Sequence, residues 1–402
     1  MSNEIPVPVL MYHTVGIPDP GWHGQYLTCP HNIFEDQMRW LKKHSFVTVT
    51  LSDLYDYIYD DKRMPERSVI LTFDDGYVDN WIFAYPIMKK YGFKGTIFVN
   101  PEFADPRNIV RKRLDEVDSE SAFEPKDIRG FLSWSEMKEA ERDGIFDIQA
   151  HAMTHTWYPI SDKIIDYRHP GDTYIWMTWN DNIERKPFLQ QDDEDLIKWG
   201  DPIYEHGKSL SAPRFYPNDE IAAGIREYVD ECGGKEFFNR PDWKKVLFER
   251  TEEIKKDLDP GRYESEDEYR ERLRAELSES KRIIEEKLGK TVDYLCWPGG
   301  SGTEIGAALV KDVGYRMSTT ANDMPIAERT RLSNLPSQKS DRIARIPPGL
   351  YWDRRMTSDS RPVYDSGFTL VLNLLSYKKI RGAHIWGRLI RKLLKEYHRF
   401  TG

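Results

Sequence analysis

A chain of 402 residues, 39% hydrophobic and 31% charged, has the composition of a soluble globular protein and room for one large domain or two ordinary ones. Its 58 basic and 67 acidic residues leave a net charge of −9, which argues against nucleic acid as the default partner. Cys29, Cys232 and Cys296 are few and widely spaced, so no disulfide framework or CxxC site is expected and a reducing compartment is implied.

The first ten residues lack a basic n-region, and Pro6 and Pro8 break their apolar run. They do not read as a signal peptide. No stretch approaches the roughly 18 apolar residues of a membrane span, and the expected location is the cytoplasm.

In chain order, Val7–Met11 reads as a strand ending at Tyr12-His13. Residues 33–44 suit a helix with Phe34, Met38 and Leu41 on one face. Phe46–Thr50 is strand-like, and Ser52 is the expected cap of a short helix through Tyr59. Val69–Phe73 follows as a buried strand. A helix over 80–91 is closed by Gly92. Gly95–Val99 is a strand, Ser133 starts a helix, and Phe146–Ala150 is a strand. Strands alternate with helices, and polar residues follow the strands, which implies parallel strands with a site at their C-terminal ends.

Residues 156–264 break that alternation. They are far longer than an ordinary connection of about 2–6 residues and read as a mostly helical insertion, with helices near 219–231 and 242–257. The alternation resumes with a helix over 265–288, where Leu273, Leu277, Ile284 and Leu288 follow helical spacing. Val292–Trp297, Tyr315–Thr319 and Arg342–Ile346 are further strands, with a helix over 303–313. In residues 378–399, eight basic side chains face one acid, Glu396, and Ile385, Leu389, Leu393 and Leu394 form a stripe. The favoured reading is a terminal helix packed on the body with a solvated basic face; the competing one is contact with a membrane surface.

Two stretches carry the chemistry. Asp74 and Asp75 end the Val69–Phe73 strand, and Gly76 allows a tight turn after them. Adjacent carboxylates repel unless one is neutralised or binds a cation; the bland alternative is a loop of solvated acids. His151 and His155 follow the Phe146–Ala150 strand, with two surface histidines on a helix as their bland alternative. One carboxylate and two imidazoles make a three-ligand facial set with open positions, the arrangement of catalytic zinc or iron.

Leu71-Thr72-Phe73-Asp74-Asp75-Gly76-Tyr77 resembles the first motif of the NodB-type polysaccharide deacetylases (carbohydrate esterase family 4). His151-Ala152-Met153-Thr154-His155 resembles the second. Val9-Leu10-Met11-Tyr12-His13-Thr14-Val15 is similar to the branch acting on poly-N-acetylglucosamine, where the motifs are circularly permuted and an N-terminal His replaces a C-terminal one. The resemblance covers about 7–155 and 265–347. It implies a distorted (β/α)7-type barrel from residues 1–155 and 265–347, with 156–264 covering its C-terminal face and 348–402 as a helical basic tail. The spacing alone also permits a doubly wound sheet.

The implied activity is removal of N-acetyl groups from an amino-sugar polysaccharide or glycan precursor. The resemblance assigns Asp75, His151 and His155 to a divalent metal, zinc ahead of cobalt or nickel. It makes Asp74 the general base and His13 the general acid; a hydrogen-bonded core histidine is the alternative for His13. Ala152 replaces the family's usual Ser or Thr, which implies a looser support for the metal ligands. Cys296-Trp297-Pro298-Gly299-Gly300 stands where Arg-x-Pro-Tyr-Gly is common, so Cys296 replaces the Arg that steers the base. Arg345 is the candidate substitute. Gly299 matches the oxyanion donor, and Trp297 is a pocket wall or a buried strand residue.

Tyr77, Trp157 and Tyr158 are candidate substrate contacts. Trp157 and Tyr158 follow His155 too closely to travel far from it, though an insertion also needs aromatics for its own core. Three rivals stand beside the deacetylase. A zinc protease of the HExxH type is excluded by Ala152. A non-haem iron oxygenase usually has its carboxylate within two residues of a ligand His, unlike Asp75. A catalytically impaired carbohydrate-binding protein of the same fold is the third.

Overall fold

Seven short strands set the frame: β1 (Val9–Tyr12), β2 (Ser68–Phe73), β3 (Gly95–Val99), β4 (Phe146–Ala150), β5 (Tyr294–Leu295), β6 (Met317–Thr319) and β7 (Arg342–Ile343). The computed structural model describes residues 4–19, 21–22, 26–189, 193–349, 351–353, 361–380, 382, 385–386 and 392–393. β2 is buried along its whole length, as a parallel strand covered on both faces must be.

The strands pair in simple sequence order, all parallel, from β1 to β7. Just beyond β7, Ile346 pairs with Leu10. Met11 N–H donates to the Ile346 carbonyl at 3.0 Å, and Ile346 N–H donates to the Val9 carbonyl at 2.9 Å. The sheet is thus a nearly closed barrel, which removes the doubly wound alternative. A two-residue strand, Val47–Thr48, adds to the start of β2.

Helices cover the barrel where the periodicity predicts them, at His31–Lys43, Trp134–Arg142, Glu266–Leu288 and Glu304–Val313. The cap of Leu51–Tyr59 is Thr50, whose hydroxyl accepts from Asp53 N–H in a capping box, two residues before the expected Ser52. The helix after β2 opens as a wide π turn, Asn80–Ala84, before the α-helix Tyr85–Tyr91; such turns insert one extra residue.

The insertion is less helical than its composition implies. It begins with a long antiparallel hairpin, Trp157–Tyr167 against Pro202–Lys208, with register shifts after Pro159. Pro159 and the polar run Ser161-Asp162-Lys163 hide the strand alternation. Helices Asp219–Glu231 and Trp243–Lys255 follow as expected. Ile221, Ile225, Val229, Phe237 and Leu247 pack with Tyr167 as a core separate from that of the barrel.

The C-terminal region carries the helix Gly367–Tyr377, which lies against His31–Lys43. Gly367 makes that contact: a Cβ there would sit 2.5 Å from the Asp36 carbonyl oxygen. Most of the expected 378–399 helix lies outside the described residues. Two corrections are visible. Lys378 is buried and donates to the Pro6 carbonyl at 2.8 Å instead of joining a solvated face. Ile385 and Leu393 of the apolar stripe are exposed. No described helix is long and apolar enough to cross a membrane.

Candidate active site

The chemistry-bearing residues sit one or two positions past barrel strands: His13 after β1, Asp74 and Asp75 after β2, His151 after β4, Cys296 after β5 and Arg345 after β7. Ladder bonds extend to the first of them. Asp74 N–H donates to the Tyr12 carbonyl at 3.0 Å, His151 N–H to Val99 at 2.9 Å, and Cys296 N–H to Ala150 at 2.8 Å. Rigid sheet backbone therefore aims the side chains into the C-terminal mouth of the barrel.

Beyond those anchors the backbone turns sharply. Asp75 has φ 71°, Ala152 φ 55° and His155 φ 40°, all in the left-handed region that non-glycine residues rarely occupy. Gly76 follows Asp75 at φ 73°, where a Cβ would also press on Val99 at 3.0 Å. Left-handed residues concentrated on two facing loops are the strain pattern of functional sites.

The turns bring Asp75, His151 and His155 together. Asp75 Oδ1 lies 3.1 Å from His151 Nε2 and 3.3 Å from His155 Nε2. Asp75 Oδ1 and His151 Nε2 are buried without a hydrogen-bond partner among the described residues. His151 Nδ1 is 2.9 Å from the Cys296 carbonyl, so Nδ1–H donates there and Nε2 is the ring nitrogen that faces Asp75. Burial pushes His155 down to about 4, against the pull of Asp75, and keeps its imidazole neutral. Burial acts to raise Asp75, but His155 and His151 outweigh it and hold the carboxyl well below its ordinary value. Burial acts to lower His151, but Cys296 and Asp75 outweigh it and raise the imidazole, so that a cation there would take the place of its Nε2 proton. Two imidazole nitrogens and one carboxylate oxygen converging on one point fit a divalent cation of the zinc type.

Asp74 lies beside this set and points elsewhere. Arg345 grips it at two points, Nη1 to Oδ1 at 2.6 Å and Nη2 to Oδ2 at 2.9 Å. Burial alone would raise Asp74; the Arg345 guanidinium, with His151 and His13, more than offsets it and keeps the carboxylate ionised. Arg345 Nη2 also reaches Cys296 Sγ at 3.1 Å. Asp74, His151 and Cys296 form a second convergent group, but the guanidinium already supplies a cation to it. His13 Nε2 is 3.8 Å from Asp74 Oδ2. Burial lowers His13 despite the nearby carboxylates, so its resting form is the neutral imidazole.

Support for the second loop comes from residues the motif reading did not single out. The Glu276 carboxylate, on the long helix, accepts from the N–H groups of Met153 and Thr154 at 3.2 and 3.1 Å and from the Thr154 hydroxyl at 2.6 Å. Asn100 Nδ2 donates to the carbonyls of His151 and Ala152. Lys186, buried in the insertion, donates to the Thr154 carbonyl and pairs with Glu102 at 2.7 Å. Ala152 is fully buried, and the loop is braced by these three side chains where the family pattern would place a hydroxyl.

The remaining predicted contacts divide. Trp157 is half-buried with its ring 6.1 Å from that of His155. Its register partner on the hairpin, Lys208, donates to the Gly299 carbonyl at 2.5 Å. The open end of the hairpin thus touches the second motif with one strand and the third with the other. Gly299 has φ 52°, and a Cβ on it would meet Lys208 Nζ. Tyr158 turns away, with the Arg214 guanidinium 4.1 Å from its ring centre. Tyr77 is buried against Trp22 and Phe131, and burial together with Asp75 pushes its phenol up. Trp297 is a correction: at 1% exposure, in the barrel core against Gly302 and Gly306, it presents no face to a ligand. Trp176 and Trp179 are buried in a cluster that packs the insertion against Tyr77, Phe103 and Phe131 of the barrel.

Residues 61–198 match the model of the polysaccharide deacetylase family. YxkH of Bacillus subtilis (strain 168), named for that family, is 35% identical over 112 residues, which are 28% of this chain and 38% of that protein. The poly-beta-1,6-N-acetyl-D-glucosamine N-deacetylase of Staphylococcus aureus (strain MRSA252) is 32% identical over 130 residues, 32% of this chain and 37% of the relative. The matches to these curated relatives therefore span well under half of their length. A solved de-N-acetylase from Aggregatibacter actinomycetemcomitans aligns with TM-score 0.48 and 19% identity, over 79% of this chain and 88% of that one. His13, Cys296, Gly299 and Arg345 fall outside the stretch that the family model matches. Asp74, Asp75, His151 and His155 fall inside it, and on that stretch the chain is similar to the polysaccharide deacetylases.

Proposed function

We propose that the protein is a metal-dependent hydrolase that removes N-acetyl groups from an N-acetylglucosamine-type glycan. The observation that carries this reading is the pairing of two neighbouring carboxylates with opposite tasks. Asp75 converges with His151 and His155 on one point, while Asp74, next in sequence, is turned to Arg345 and kept charged.

An amide carbonyl is a poor electrophile and water a poor nucleophile; a divalent cation, zinc by the donor set, would polarise the first and acidify the second. Asp74 then takes a proton from the attacking water at a free carboxylate lone pair. His13, 3.8 Å from Asp74 Oδ2, gives a proton to the departing amine nitrogen. Because burial leaves His13 neutral at rest, it must first gain that proton, and Asp74 is the nearest source. Arg345 keeps Asp74 oriented and ionised until the proton arrives. The Cys296 position motivates the non-catalytic alternative; Arg345 fills the gap left there, which favours the enzyme.

The insertion supports the glycan reading by placing Trp157 beside His155, where a ring face suits a pyranose. The test is acetate release from N-acetylglucosamine oligomers by protein loaded with zinc, cobalt or nickel, against chelated protein. Release with metal and none without supports the proposal; equal rates with and without chelator reject it.

A further inference from the structure

The stretch that supplies Asp74 and Asp75 also holds the backbone of His13. Asp74 N–H takes the Tyr12 carbonyl as its ladder partner at 3.0 Å. Further along the same stretch, the side chain of Asn80 takes the next carbonyl: its Nδ2 donates to His13 at 2.7 Å. Asn80 is fully buried, so no water competes for that bond and its loss would leave a buried carbonyl unpaired.

The π turn is the local device that presents this amide. Tyr85 N–H donates to the Asn80 carbonyl, five residues back instead of four. One extra residue rotates the start of a helix against the rest by about 100°. Asp79, Asn80 and Phe83 all meet the segment that begins at His13. That segment continues as Thr14–Gly16, paired with Thr28–Pro30, and the Thr14 hydroxyl donates to that of Thr28 at 2.7 Å in the interior. Gly16 lies so close to the turn that a Cβ on it would sit 3.2 Å from Asp79 Cβ and from the Phe83 ring.

The imidazole of His13 depends on this backbone for its direction. Its Nε2 is 3.8 Å from Asp74 Oδ2, beyond the reach of a hydrogen bond, so the base does not itself fix the ring. The two successive carbonyls at Tyr12 and His13 are instead pinned by Asp74 N–H and by Asn80. We infer that Asn80 is a positioning residue for the proton transfer at His13: its amide holds the backbone of the acid against the segment that carries the base and one metal ligand. The inference rests on the hydrolase reading for the task of His13.

The test compares Asn80→Ala in two backgrounds, using zinc-loaded full-length protein and acetate release from N-acetylglucosamine oligomers. In the wild-type background kcat should fall by about 10–100-fold, the effect of misplacing a reacting group by about 1 Å, with KM and zinc per chain unchanged. His13→Ala keeps the carbonyl that Asn80 holds and lacks the ring. In that background Asn80→Ala should cost nothing further, because two residues acting through one group are not additive. Equal losses in both backgrounds would make Asn80 a folding residue only and overturn the inference. Asn80→Ser keeps a donor on a shorter arm, should fall between wild type and Asn80→Ala, and carries the same comparison if the alanine variant does not fold. A readout independent of turnover is the NMR signal of the His13 ring, assigned by its loss in His13→Ala. It should shift in Asn80→Ala, and an unmoved signal also overturns the clamp. Absence of acetate release from every substrate would reject the hydrolase, and the ring signal would then decide the clamp alone.

Discussion

Arg345 and Asp74 are 271 residues apart in sequence and meet in a two-point ion pair of 2.6 and 2.9 Å. The parallel fork of the guanidinium fixes the carboxylate plane as well as its charge, which a lysine cannot do. Arg345→Lys should therefore lower kcat, with metal content unchanged by elemental analysis. Arg345→Met should move the acid limb of the kcat/KM profile toward higher pH by about 1–3 pH units, because the Asp74 carboxyl rises once its cation is gone. Wild-type stability follows the same sign. A carboxylate held below its unfolded value of about 3.9 stabilises the fold above that pH, and the contribution fades as pH falls through the folded value. Removing Arg345 leaves a buried unpaired charge, a cost of about 3–5 kcal/mol, and adding Asp74→Asn should recover most of it in denaturant titrations.

Asp74→Asn alone should eliminate turnover and leave metal bound, since Asp74 is outside the converging donors. Asp75→Ala and His151→Ala should lose both. The readout is metal per chain after dialysis, with thermal melting beside it. A metal at about 100 times its dissociation constant stabilises by about 2.7 kcal/mol, so chelation should lower the melting temperature of the wild type and not that of Asp75→Ala.

His13→Ala should lower kcat by about 10²–10⁴ with little change in KM, the signature of a proton transfer made in the transition state. His13 packs with its carbonyl held by Asn80 Nδ2 at 2.7 Å, which the alanine retains. Near wild-type kcat would return His13 to a core role.

Glu276→Gln should weaken metal binding by about 10–100-fold, the usual effect of disturbing the groups behind a ligand. The helix keeps its packing, but one acceptor oxygen for Met153 and Thr154 N–H becomes an amide. Unchanged affinity in competition with a chromophoric chelator would show that Asn100 and Lys186 brace the loop alone.

The barrel was legible because buried parallel strands are continuous apolar runs, and because Asp74 and His151 directly follow such runs. Arg345 was legible for the same reason, as the charged residue past the last strand. Glu276 was harder. It shares the buried stripe of Leu273, Leu277 and Ile284, and a lone acid on an apolar stripe is the signal that marks it. The hairpin escaped because Pro159 and its bulges break the period of two. Trp297 was ambiguous in principle, since a strand-end tryptophan reads alike whether its face meets sugar or, as here, Gly306.

The seam between Leu10 and Ile346 has a consequence for how the protein is made. The ring closes only when Ile346 has left the ribosome. Asp74 waits 271 residues for Arg345, roughly 15–50 s at ordinary rates of synthesis. Throughout that interval β1 has an unpaired edge, and Asp74 lacks the cation that keeps it charged. A chain released before residue 345 would still contain Asp75, His151 and His155, and would lack the guanidinium clamp on Asp74.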